Sequence, residues 1–327
     1  MEKQENKNGS ANQDPQFANE KILLTGGGGF LGSAVARALI EKGATVIVMD
    51  DWSTGAKSNL PDSPRLSILT GNVNAPDAVR GAMRGCTAVI HQAATPITTA
   101  LRDPAYDCDV NVKGTVNILL AARDSGGIRR VVYASSDSVY GNPRYLPINE
   151  DDQLSPLSPF AVSKLAGENY CRAFYETFGL STTVLRYANV YGPSGCGEPC
   201  DQGVVGRFFR NALNGQPLQI HGDGEQTRDF IYVSDAVDAT LQSCHATKAE
   251  GQIYNIGTGI EVTVNDFTEL VRSVTRSKSR VETVDRLDID NIRRRVLNIE
   301  KIRRELRWTP KYTLEHGLRQ MMESASK

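Results

Sequence analysis

The chain has 327 residues, enough for one large α/β domain or two unequal domains, because a single hydrophobic core stops growing near ~250 to 300 residues. Its 37 Lys and Arg residues balance 38 Asp and Glu residues, and the formal net charge of -1 argues against nucleic acid or an anionic membrane surface as a partner. The sequence has no signal-peptide pattern and no apolar run near the ~18 residues of a membrane span, so we expect a cytoplasmic protein.

Short apolar runs alternate with longer amphipathic patterns along the first half of the chain. Residues 1–20 are polar and predict a disordered tail. The runs that follow predict strands at 22–25, 45–49, 66–69, 88–91, 128–135 and 182–186, and the longer patterns predict helices at 33–41, 76–83, 110–123 and 159–178. This alternation predicts an α/β fold with a Rossmann-type, doubly wound parallel sheet.

The regular alternation is lost after about residue 190, where Gly, Pro and Asp separate shorter elements. We therefore predict a nucleotide-binding domain at 21–190 and a smaller, mainly substrate-binding C-terminal domain at 191–327, with part of 229–260 returning to the first domain. Cys196 and Cys200 stand just after this boundary at a spacing that fits half a zinc site. A zinc site needs two more ligands and no histidine is near in sequence, so no metal site is predicted.

A glycine-rich turn between the first predicted strand and helix predicts a dinucleotide site. Gly26, Gly29 and Gly32 are spaced three residues apart, and Phe30 and Leu31 open the helix whose N-terminus attracts phosphate. In order, the three glycines permit a sharp turn, close approach of the backbone to a pyrophosphate, and packing of the helix on the strand.

Two acids end the second predicted strand. Asp50 lies 18 residues beyond Gly32, near the ~20-residue offset of the acid that binds an adenosine ribose. Asp51 stands beside it, and two negative charges disfavour the 2'-phosphate of NADP. The sequence therefore predicts NAD as the cofactor.

Further short motifs follow the glycine turn in a fixed order. They are HQAA at 91–94, NVKGT at 111–115, ASSDSVYG at 134–141, SPFAVSK at 158–164, RYANVYGP at 186–193, GDGE at 222–225, RDF at 228–230 and NIG at 255–257. Together with the glycine turn they resemble the extended short-chain dehydrogenase/reductase family, and within it the nucleotide-sugar epimerases and dehydratases. The resemblance covers residues 21 to about 310. It implies a bound NAD that takes a hydride from a sugar carbon of a nucleoside-diphosphate sugar and later returns it.

The resemblance also assigns roles to individual residues. Ser136 is implied to hydrogen-bond the reacting hydroxyl, and Lys164 to hold the nicotinamide ribose and lower the pKa of a tyrosine that acts as general base. The further cofactor residues that it implies are Asn72, Val73, Ala93 and Asn111, and the implied substrate residues are Thr95, Ser136, Asn189, Arg228 and Arg293. Asn72 stands where the family often has an acid that accepts from the adenine amino group, and an amide oxygen can accept the same bond.

The predicted diphosphate site departs from the family pattern. Asn189 and Arg228 match family positions that contact the diphosphate, and a guanidinium meets phosphate oxygens in pairs. The alternative for Arg228 is a surface ion pair with Asp229 or Asp223. A further family arginine is displaced or absent at 286–291, and Arg293 is the candidate that replaces it.

Phe160 replaces the family tyrosine in this chain. Phe160 and Lys164 are four residues apart on a predicted helix and share one face, and the residues around them match the family pattern. A phenyl ring can neither accept nor donate a proton, and loss of a positioned general base lowers a rate by ~10²- to 10⁴-fold. Three explanations stand: a deliberate Tyr-to-Phe change in an ordinary enzyme, a native phenylalanine with Asp137 taking the proton, or a protein that binds its ligands without turnover.

The residues beside Ser136 separate the candidate reactions. Related sugar 4,6-dehydratases carry Thr-Asp-Glu there, whereas this chain has Ser136-Asp137-Ser138 and lacks one of the two carboxylates that elimination uses. We therefore expect a UDP-sugar 4-epimerase that works through a transient 4-keto sugar. The alternatives are a nucleotide-sugar 4,6-dehydratase or related lyase, and a non-catalytic protein that binds NAD and sugar nucleotide.

The resemblance also implies a homodimer, because the family commonly dimerises through two helices of each subunit. Here these would be the predicted helices that hold 111–123 and 160–178. Small and apolar side chains on them lie either at this seam or in the core of the subunit: Ala121, Ala122, Val162 and Ala166.

Overall fold

The computed structural model describes residues 17–194, 203–285 and 292–325. Its strands are β1 (Lys21–Thr25), β2 (Thr45–Asp50), β3 (Leu66–Thr70), β4 (Ala88–His91), β5 (Arg130–Ser136), β6 (Thr182–Tyr187), β7 (Asn189–Tyr191), β8 (Leu218–His221), β9 (Thr227–Arg228), β10 (Phe230–Tyr232), β11 (Gln252–Ile256), β12 (Val262–Thr263) and β13 (Val281–Val284). Its α-helices are α1 (Phe30–Glu41), α2 (Pro76–Met83), α3 (Ile97–Arg102), α4 (Pro104–Asp107), α5 (Gly114–Ser125), α6 (Pro159–Phe178), α7 (Gly203–Leu213), α8 (Val233–His245), α9 (Val264–Thr275), α10 (Glu300–Leu306) and α11 (Leu314–Ala325).

One parallel sheet of seven strands forms the centre of the described fold, in the order β11-β6-β5-β4-β1-β2-β3. The chain runs from β1 to β3 towards one edge and then crosses back to β4 on the other side of β1. The strand order therefore reverses between β1 and β4, which is the point where open α/β sheets bind their ligands. The predicted α/β, Rossmann-type class is confirmed.

Helices cover both faces of the sheet, and the sheet separates two hydrophobic cores. Helices α1 and α8 pack together on one face, where Leu24 and Val48 are buried. Helices α2, α5 and α6 cover the other face, where the neighbouring residues Leu23 and Ile47 are buried. Successive strand residues point to opposite faces, so uninterrupted apolar runs are what a sheet covered on both sides requires.

The predicted tail ends earlier than residue 20. Phe17 is buried, and its ring packs edge-on against His245 with 4.2 Å between the ring centroids. Glu20 lies 3.5 Å from the guanidinium of Arg129. The predicted disorder is therefore wrong for residues 17–20, because one apolar side chain docks this segment on the sheet layer; residues 1–16 lie outside the described residues.

The chain after β6 forms smaller paired strands and then returns to the main sheet. Strands β7 and β10 pair in parallel, β8 pairs in parallel with β13, and β9 pairs antiparallel with β12. Helix α8 packs on α1, and β11 pairs with β6 at the edge of the large sheet. The division into two domains stays a prediction. The Cys196 and Cys200 pair and the 286–291 segment lie outside the described residues.

Within the described ranges, no three His, Cys, Asp or Glu side chains are grouped as a metal site. No helix in those ranges is both long enough and apolar enough to cross a membrane.

Candidate active site

The glycine turn between β1 and α1 has the backbone geometry that a pyrophosphate site requires. Gly26 has a φ of 69°, and a Cβ there would lie 2.5 Å from the backbone nitrogen of Ala93. A Cβ on Gly32 would lie 2.1 Å from the carbonyl oxygen of Gly26, so α1 packs on the turn only with glycine at this position. Helix α1 is capped by Gly29 without a side chain and has no acid in its first turn. Its positive dipole end is therefore suited to a phosphate.

Asp50 ends β2 beside this turn. Its Oδ2 accepts from the backbone nitrogen of Gly28 and its Oδ1 accepts from that of Trp52, both at 2.8 Å. Each carboxylate oxygen has a second lone pair, so both can accept a further bond from ribose hydroxyls. The backbone bonds fix the orientation of the carboxylate before any ligand arrives.

Asn72 is held by the second acid of the pair. Its Nδ2 donates to Asp51 Oδ2 at 2.7 Å, and its Oδ1 accepts from the backbone nitrogen of Asn74 at 2.8 Å. The predicted adenine acceptor therefore already uses one lone pair of its oxygen, and one remains.

A cavity of about 240 Å³ joins the turn to these acids. The predicted cofactor and substrate residues on its wall are Gly26, Gly29, Phe30, Leu31, Gly32, Asp50, Asp51, Asn72, Val73, Ala93 and Thr95. Several other residues of the wall have no role predicted from the sequence, among them Ser53, Thr54, Gln92 and Tyr106. A phosphate-accepting turn and a ribose-accepting carboxylate on one cavity wall fit NAD.

Ser136 ends β5 and caps the 3₁₀ turn Asp137–Tyr140 that follows. Its Oγ accepts from the backbone nitrogen of Ser138 at 3.2 Å and from Ser138 Oγ at 2.9 Å, and it donates to Asp137 Oδ1 at 3.4 Å. The hydroxyl is thus oriented by two neighbours in the turn. Its residue is half-buried.

Asp137 forms a buried ion pair with Arg295, which the sequence analysis did not single out. Arg295 Nη1 lies 3.1 Å from Asp137 Oδ1, and both side chains are almost fully covered. Arg295 is the last of three successive arginines and directly precedes the buried Val296 and Leu297, which is the one sequence signal that marks it. A guanidinium at this distance stabilises the carboxylate, which weakens the hypothesis that Asp137 takes the proton in place of a tyrosine.

Helix α6 is defined by residues at both ends. Ser158 Oγ accepts from the backbone nitrogen of Ala161 at 3.2 Å, Pro159 occupies the first helical position, and Gly179 ends the helix with a φ of 67°. These caps place Phe160 and Lys164 one turn apart at the start of a 20-residue helix.

The amine of Lys164 lies between the Phe160 ring and the end of β5. Its Nζ is 5.7 Å from the Phe160 ring centroid and donates to the carbonyl oxygen of Ala134 at 2.8 Å. Burial lowers the pKa of Lys164 to about 8, against the opposing effect of the carboxylates of Asp107 and Glu168. Desolvation therefore weakens the proton affinity of this amine, and the nearby carboxylates partly restore it.

A buried ion pair ties the lysine-bearing helix to β5 and β6. Arg186 on β6 binds Glu168 on α6, with 2.6 Å from Nη2 to Oε2 and 2.9 Å from Nε to Oε1, and both side chains are 2% exposed. Ser135 also donates to Glu168, and Arg186 donates to the hydroxyl of Tyr140 at 2.8 Å. This network fixes the distance between the serine at the end of β5 and the start of α6.

Asn111 and Thr95 hydrogen-bond a buried acid, Asp107, which the sequence analysis did not single out. Asn111 lies in the π-helical turn Cys108–Lys113, a type of turn that is frequent at functional sites. Its Nδ2 donates to Asp107 Oδ1 at 2.7 Å and to Ser163 Oγ at 3.0 Å, and its Oδ1 accepts from the backbone nitrogen of Thr95 at 3.0 Å. Thr95 Oγ1 also donates to Asp107.

Asn189 and Arg228 lie on different strands of the smaller paired sheets. Asn189 begins β7 and lines a cavity of about 150 Å³ together with Phe30 of the glycine turn. Arg228 on β9 donates from Nη1 to the carbonyl oxygens of Thr227 at 2.8 Å and Ile292 at 2.9 Å. One terminal nitrogen of this arginine is thus anchored to the backbone.

Arg293 lies on the surface. Its side chain is 49% exposed and pairs with Asp223 at 2.7 Å. Asp229, the other acid considered as a partner for Arg228, accepts from the backbone nitrogens of Thr258 at 2.8 Å and Gly259 at 3.1 Å. The structure therefore pairs Asp223 with Arg293 and uses Asp229 to fix a loop.

Residues 22–257 match the family model described as the NAD dependent epimerase/dehydratase family. The chain belongs to this family. A UDP-glucose 4-epimerase of Mycolicibacterium smegmatis is 33% identical over 310 residues, which cover 93% of this chain and 97% of the relative. The dTDP-glucose 4,6-dehydratase 1 of Escherichia coli is 33% identical over 338 residues, which cover 93% and 92%. A solved UDP-glucose 4-epimerase with UDP-glucose from Thermotoga maritima has a TM-score of 0.87 and 33% identity, with coverage of 93% and 98%.

Family membership makes NAD the cofactor of this chain. The family is enzymatic, and relatives of similar identity are named as epimerases, dehydratases and a decarboxylase. Overall similarity therefore does not distinguish between these reactions, whereas the residues at the end of β5 can.

Proposed function

We propose that this chain is built as a UDP-sugar 4-epimerase and that Phe160 limits its turnover. Bound NAD would supply the group that takes a hydride from the sugar carbon and gives it back. The observation that carries the proposal is the arrangement of Ser136 and Lys164 beside a complete NAD cleft, with serine instead of a second acid at position 138.

The residues at the end of β5 would bind and orient the sugar. Ser136 would hydrogen-bond the reacting hydroxyl, and the Lys164 ammonium would hold the nicotinamide ribose. Asn189 and Arg228 would bind the diphosphate, as their family positions suggest. The UDP moiety is supported by a relative of similar structure that was solved with UDP-glucose.

Epimerisation is favoured over 4,6-elimination by the groups around Ser136. Elimination needs a base at C5 and an acid at C6 of the sugar. Ser138 has no carboxylate, and its hydroxyl is engaged with Ser136 Oγ at 2.9 Å. The ion pair with Arg295 stabilises Asp137 as a carboxylate, which is the wrong form for donating a proton to the leaving oxygen.

Phe160 favours a second candidate function, a protein that binds NAD and a UDP-sugar without turnover. The ring keeps the shape of a tyrosine beside Lys164 but has no oxygen to move a proton. Whether Phe160 is native or was introduced deliberately, the expected outcome for this chain is the same: it binds its ligands and forms little product.

The deciding experiment uses the Phe160→Tyr variant with NAD and UDP-glucose in deuterated water. We expect UDP-galactose without deuterium at C5, because 4-epimerisation does not break the covalent C5–H bond of the sugar. A 4-keto-6-deoxy sugar that carries deuterium would instead identify a dehydratase. If neither the wild type nor Phe160→Tyr forms any product, while calorimetric titration shows that both bind UDP-glucose, the chain is a non-catalytic binding protein.

We also propose a homodimer through α5 and α6. Val162 and Tyr170 on α6 are 54% and 41% exposed, which supports a partner on that face. Ala121 and Ala122 on α5 are buried in the subunit, so core packing accounts for them. Sedimentation equilibrium of the wild type and of Val162→Glu tests this, and a wild-type monomer would contradict it.

A further inference from the structure

The hydroxyl of Ser136 has one proton to donate and two lone pairs with which to accept. A carboxylate can only accept, so the contact with Asp137 Oδ1 at 3.4 Å uses the proton. A backbone nitrogen can only donate, so the contact from Ser138 N at 3.2 Å uses one lone pair. The second lone pair accepts from the Ser138 hydroxyl at 2.9 Å. While its proton is held by Asp137, Ser136 can therefore only accept from a ligand.

The bond from the Ser138 hydroxyl is the one that a ligand can replace. A hydroxyl proton rotates to suit its surroundings, whereas the backbone nitrogen of Ser138 is fixed in the 3₁₀ turn Asp137–Tyr140. A sugar hydroxyl that donates to Ser136 Oγ would take the place of the Ser138 hydroxyl. The direction of this contact then depends on what keeps the Ser136 proton on Asp137.

Arg295 holds the carboxylate that receives this proton. Its Nη1 lies 3.1 Å from Asp137 Oδ1, the same oxygen to which Ser136 donates, and the arginine and aspartate side chains are 4% and 6% exposed. A guanidinium has no acceptor and stays charged, so it favours the ionised form of the carboxylate. Phe160 has no oxygen that could receive the serine proton instead.

The backbone that carries Arg295 is fixed on two sides. The backbone nitrogen of Arg295 donates to Thr227 Oγ1 on β9 at 3.3 Å. The next residue, Val296, accepts at its carbonyl oxygen from the backbone nitrogen of Ile148 at 2.9 Å. Ile148 belongs to the connection between β5 and α6. The guanidinium therefore reaches the end of β5 from a segment that is bonded to two other parts of the chain.

We propose that Arg295 is a positioning residue that makes Ser136 a hydrogen-bond acceptor for the reacting hydroxyl of the sugar. It acts through Asp137, which keeps the serine proton directed away from the sugar. The proposal rests on the role that the proposed function gives to Ser136, and it adds a direction to that contact. A sugar hydroxyl that donates is oriented for loss of its proton, which oxidation at that carbon requires.

Three ligands test the direction in the wild-type, NAD-bound protein. They are UDP-glucose, UDP-4-deoxyglucose, which has no hydroxyl at C4, and UDP-4-deoxy-4-fluoroglucose, whose fluorine can accept but cannot donate. We expect UDP-glucose to bind roughly three- to tenfold more tightly than either analogue in calorimetric titrations, the range of one net hydrogen bond. If the fluoro analogue binds as tightly as UDP-glucose, Ser136 donates to the sugar and the proposal is wrong.

Arg295→Met should reduce the preference for UDP-glucose over the fluoro analogue to less than about twofold. A buried carboxylate that loses its guanidinium takes up a proton more readily, and Asp137 could then donate to Ser136 and release the serine proton towards the ligand. Arg295→Lys keeps a cation and should restore part of the preference. The matched control is Arg294→Met, since this neighbouring side chain is 57% exposed and pairs with Glu261 at 2.5 Å. The control should keep the wild-type preference.

A double variant removes the ion pair without leaving a buried charge. Asp137→Leu combined with Arg295→Met replaces both charges by apolar groups, a change that is often neutral for stability. It should also lose the preference, because no carboxylate then holds the Ser136 proton. This variant keeps the proposal testable if Arg295→Met alone does not fold.

Ser136→Ala separates a failure of this proposal from a failure of the proposed function. If Ser136→Ala removes the preference but Arg295→Met or the double variant keeps it, Arg295 does not position the serine. If Ser136→Ala leaves the preference unchanged, the serine does not bind the reacting hydroxyl. That result would overturn both this proposal and the role of Ser136 in the proposed function.

Discussion

The NAD cleft and the end of β5 differ in how much of their chemistry is in place. At the glycine turn, Gly26 and Gly32 allow a backbone approach that no side chain would permit, and Asp50 is already oriented by backbone bonds. At the end of β5, Ser136 and Lys164 are held by hydrogen bonds, but Phe160 lacks the phenol oxygen of a tyrosine. Under the proposed function, ligand binding and turnover are separable in this chain. Many backbone and buried groups would determine ligand binding, and the phenol oxygen that Phe160 lacks would limit turnover.

The largest expected effect comes from restoring that oxygen. Phe160→Tyr should raise the rate of UDP-glucose and UDP-galactose interconversion by ~10²- to 10⁴-fold, because it adds the missing general base. NAD affinity should stay unchanged, since the variant leaves the glycine turn intact. Product formation is followed by liquid chromatography.

The Phe160→Tyr gain should depend on Ser136. Adding Ser136→Ala to that variant should remove most of the gain, because the reacting hydroxyl loses its hydrogen-bond partner. If Phe160→Tyr has the same rate as the wild type, the missing phenol oxygen is not what limits turnover at the end of β5.

A second prediction concerns the buried ion pair of Arg186 and Glu168, which supports the end of β5 and the helix that carries Lys164. Glu168→Ala should lower the free energy of unfolding by about 3–5 kcal/mol, because it leaves the buried guanidinium of Arg186 without its carboxylate. Urea unfolding followed by circular dichroism measures the loss. Glu176→Ala on the exposed side of the same helix is the control and should change stability by less than about 0.5 kcal/mol. Equal effects of the two variants would argue that the ion pair contributes nothing specific.

A third prediction concerns a substitution that should disrupt the glycine turn of the NAD cleft. Gly32→Ala should weaken NAD binding by at least about 100-fold, because its Cβ would meet the carbonyl oxygen of Gly26 and displace the turn from the phosphates. Gly81→Ala in α2 adds a Cβ that meets nothing within 4 Å and is the matched control. Fluorescence titration with NAD compares the two. Retained affinity in Gly32→Ala would place the cofactor away from this turn.

The glycine turn of the NAD cleft could be predicted because its residues are close in sequence, whereas the end of β5 could be predicted only in part. The spacing of Gly26, Gly29 and Gly32 needs no tertiary information. In contrast, Arg295 reaches Asp137 across 158 positions of the chain, and the run of arginines that contains it does not identify Asp137 as its partner.

Two smaller differences from the predicted elements have local causes. The docking of Phe17 had no periodic signal, because a single apolar residue has no period. The predicted helix at 110–123 is in fact a π-helical turn, Cys108–Lys113, followed by α5, and the apolar pattern does not distinguish these two helical forms.

The smallest expected effect separates the two candidate diphosphate arginines. A phosphate-binding arginine contributes charge-assisted hydrogen bonds, so its loss should weaken UDP-sugar binding by roughly tenfold or more. We expect this of Arg228→Ala, whose guanidinium is half-buried and anchored to the backbone. Arg293→Ala should change the affinity by less than about threefold, because that side chain is half exposed and bound to Asp223, and exposed ion pairs are screened by water. Calorimetric titration with UDP-glucose compares the variants. A tenfold loss in Arg293→Ala would mean that the arginine leaves Asp223 to bind the diphosphate, and that the substrate site, unlike the NAD cleft, is completed only when its ligand binds.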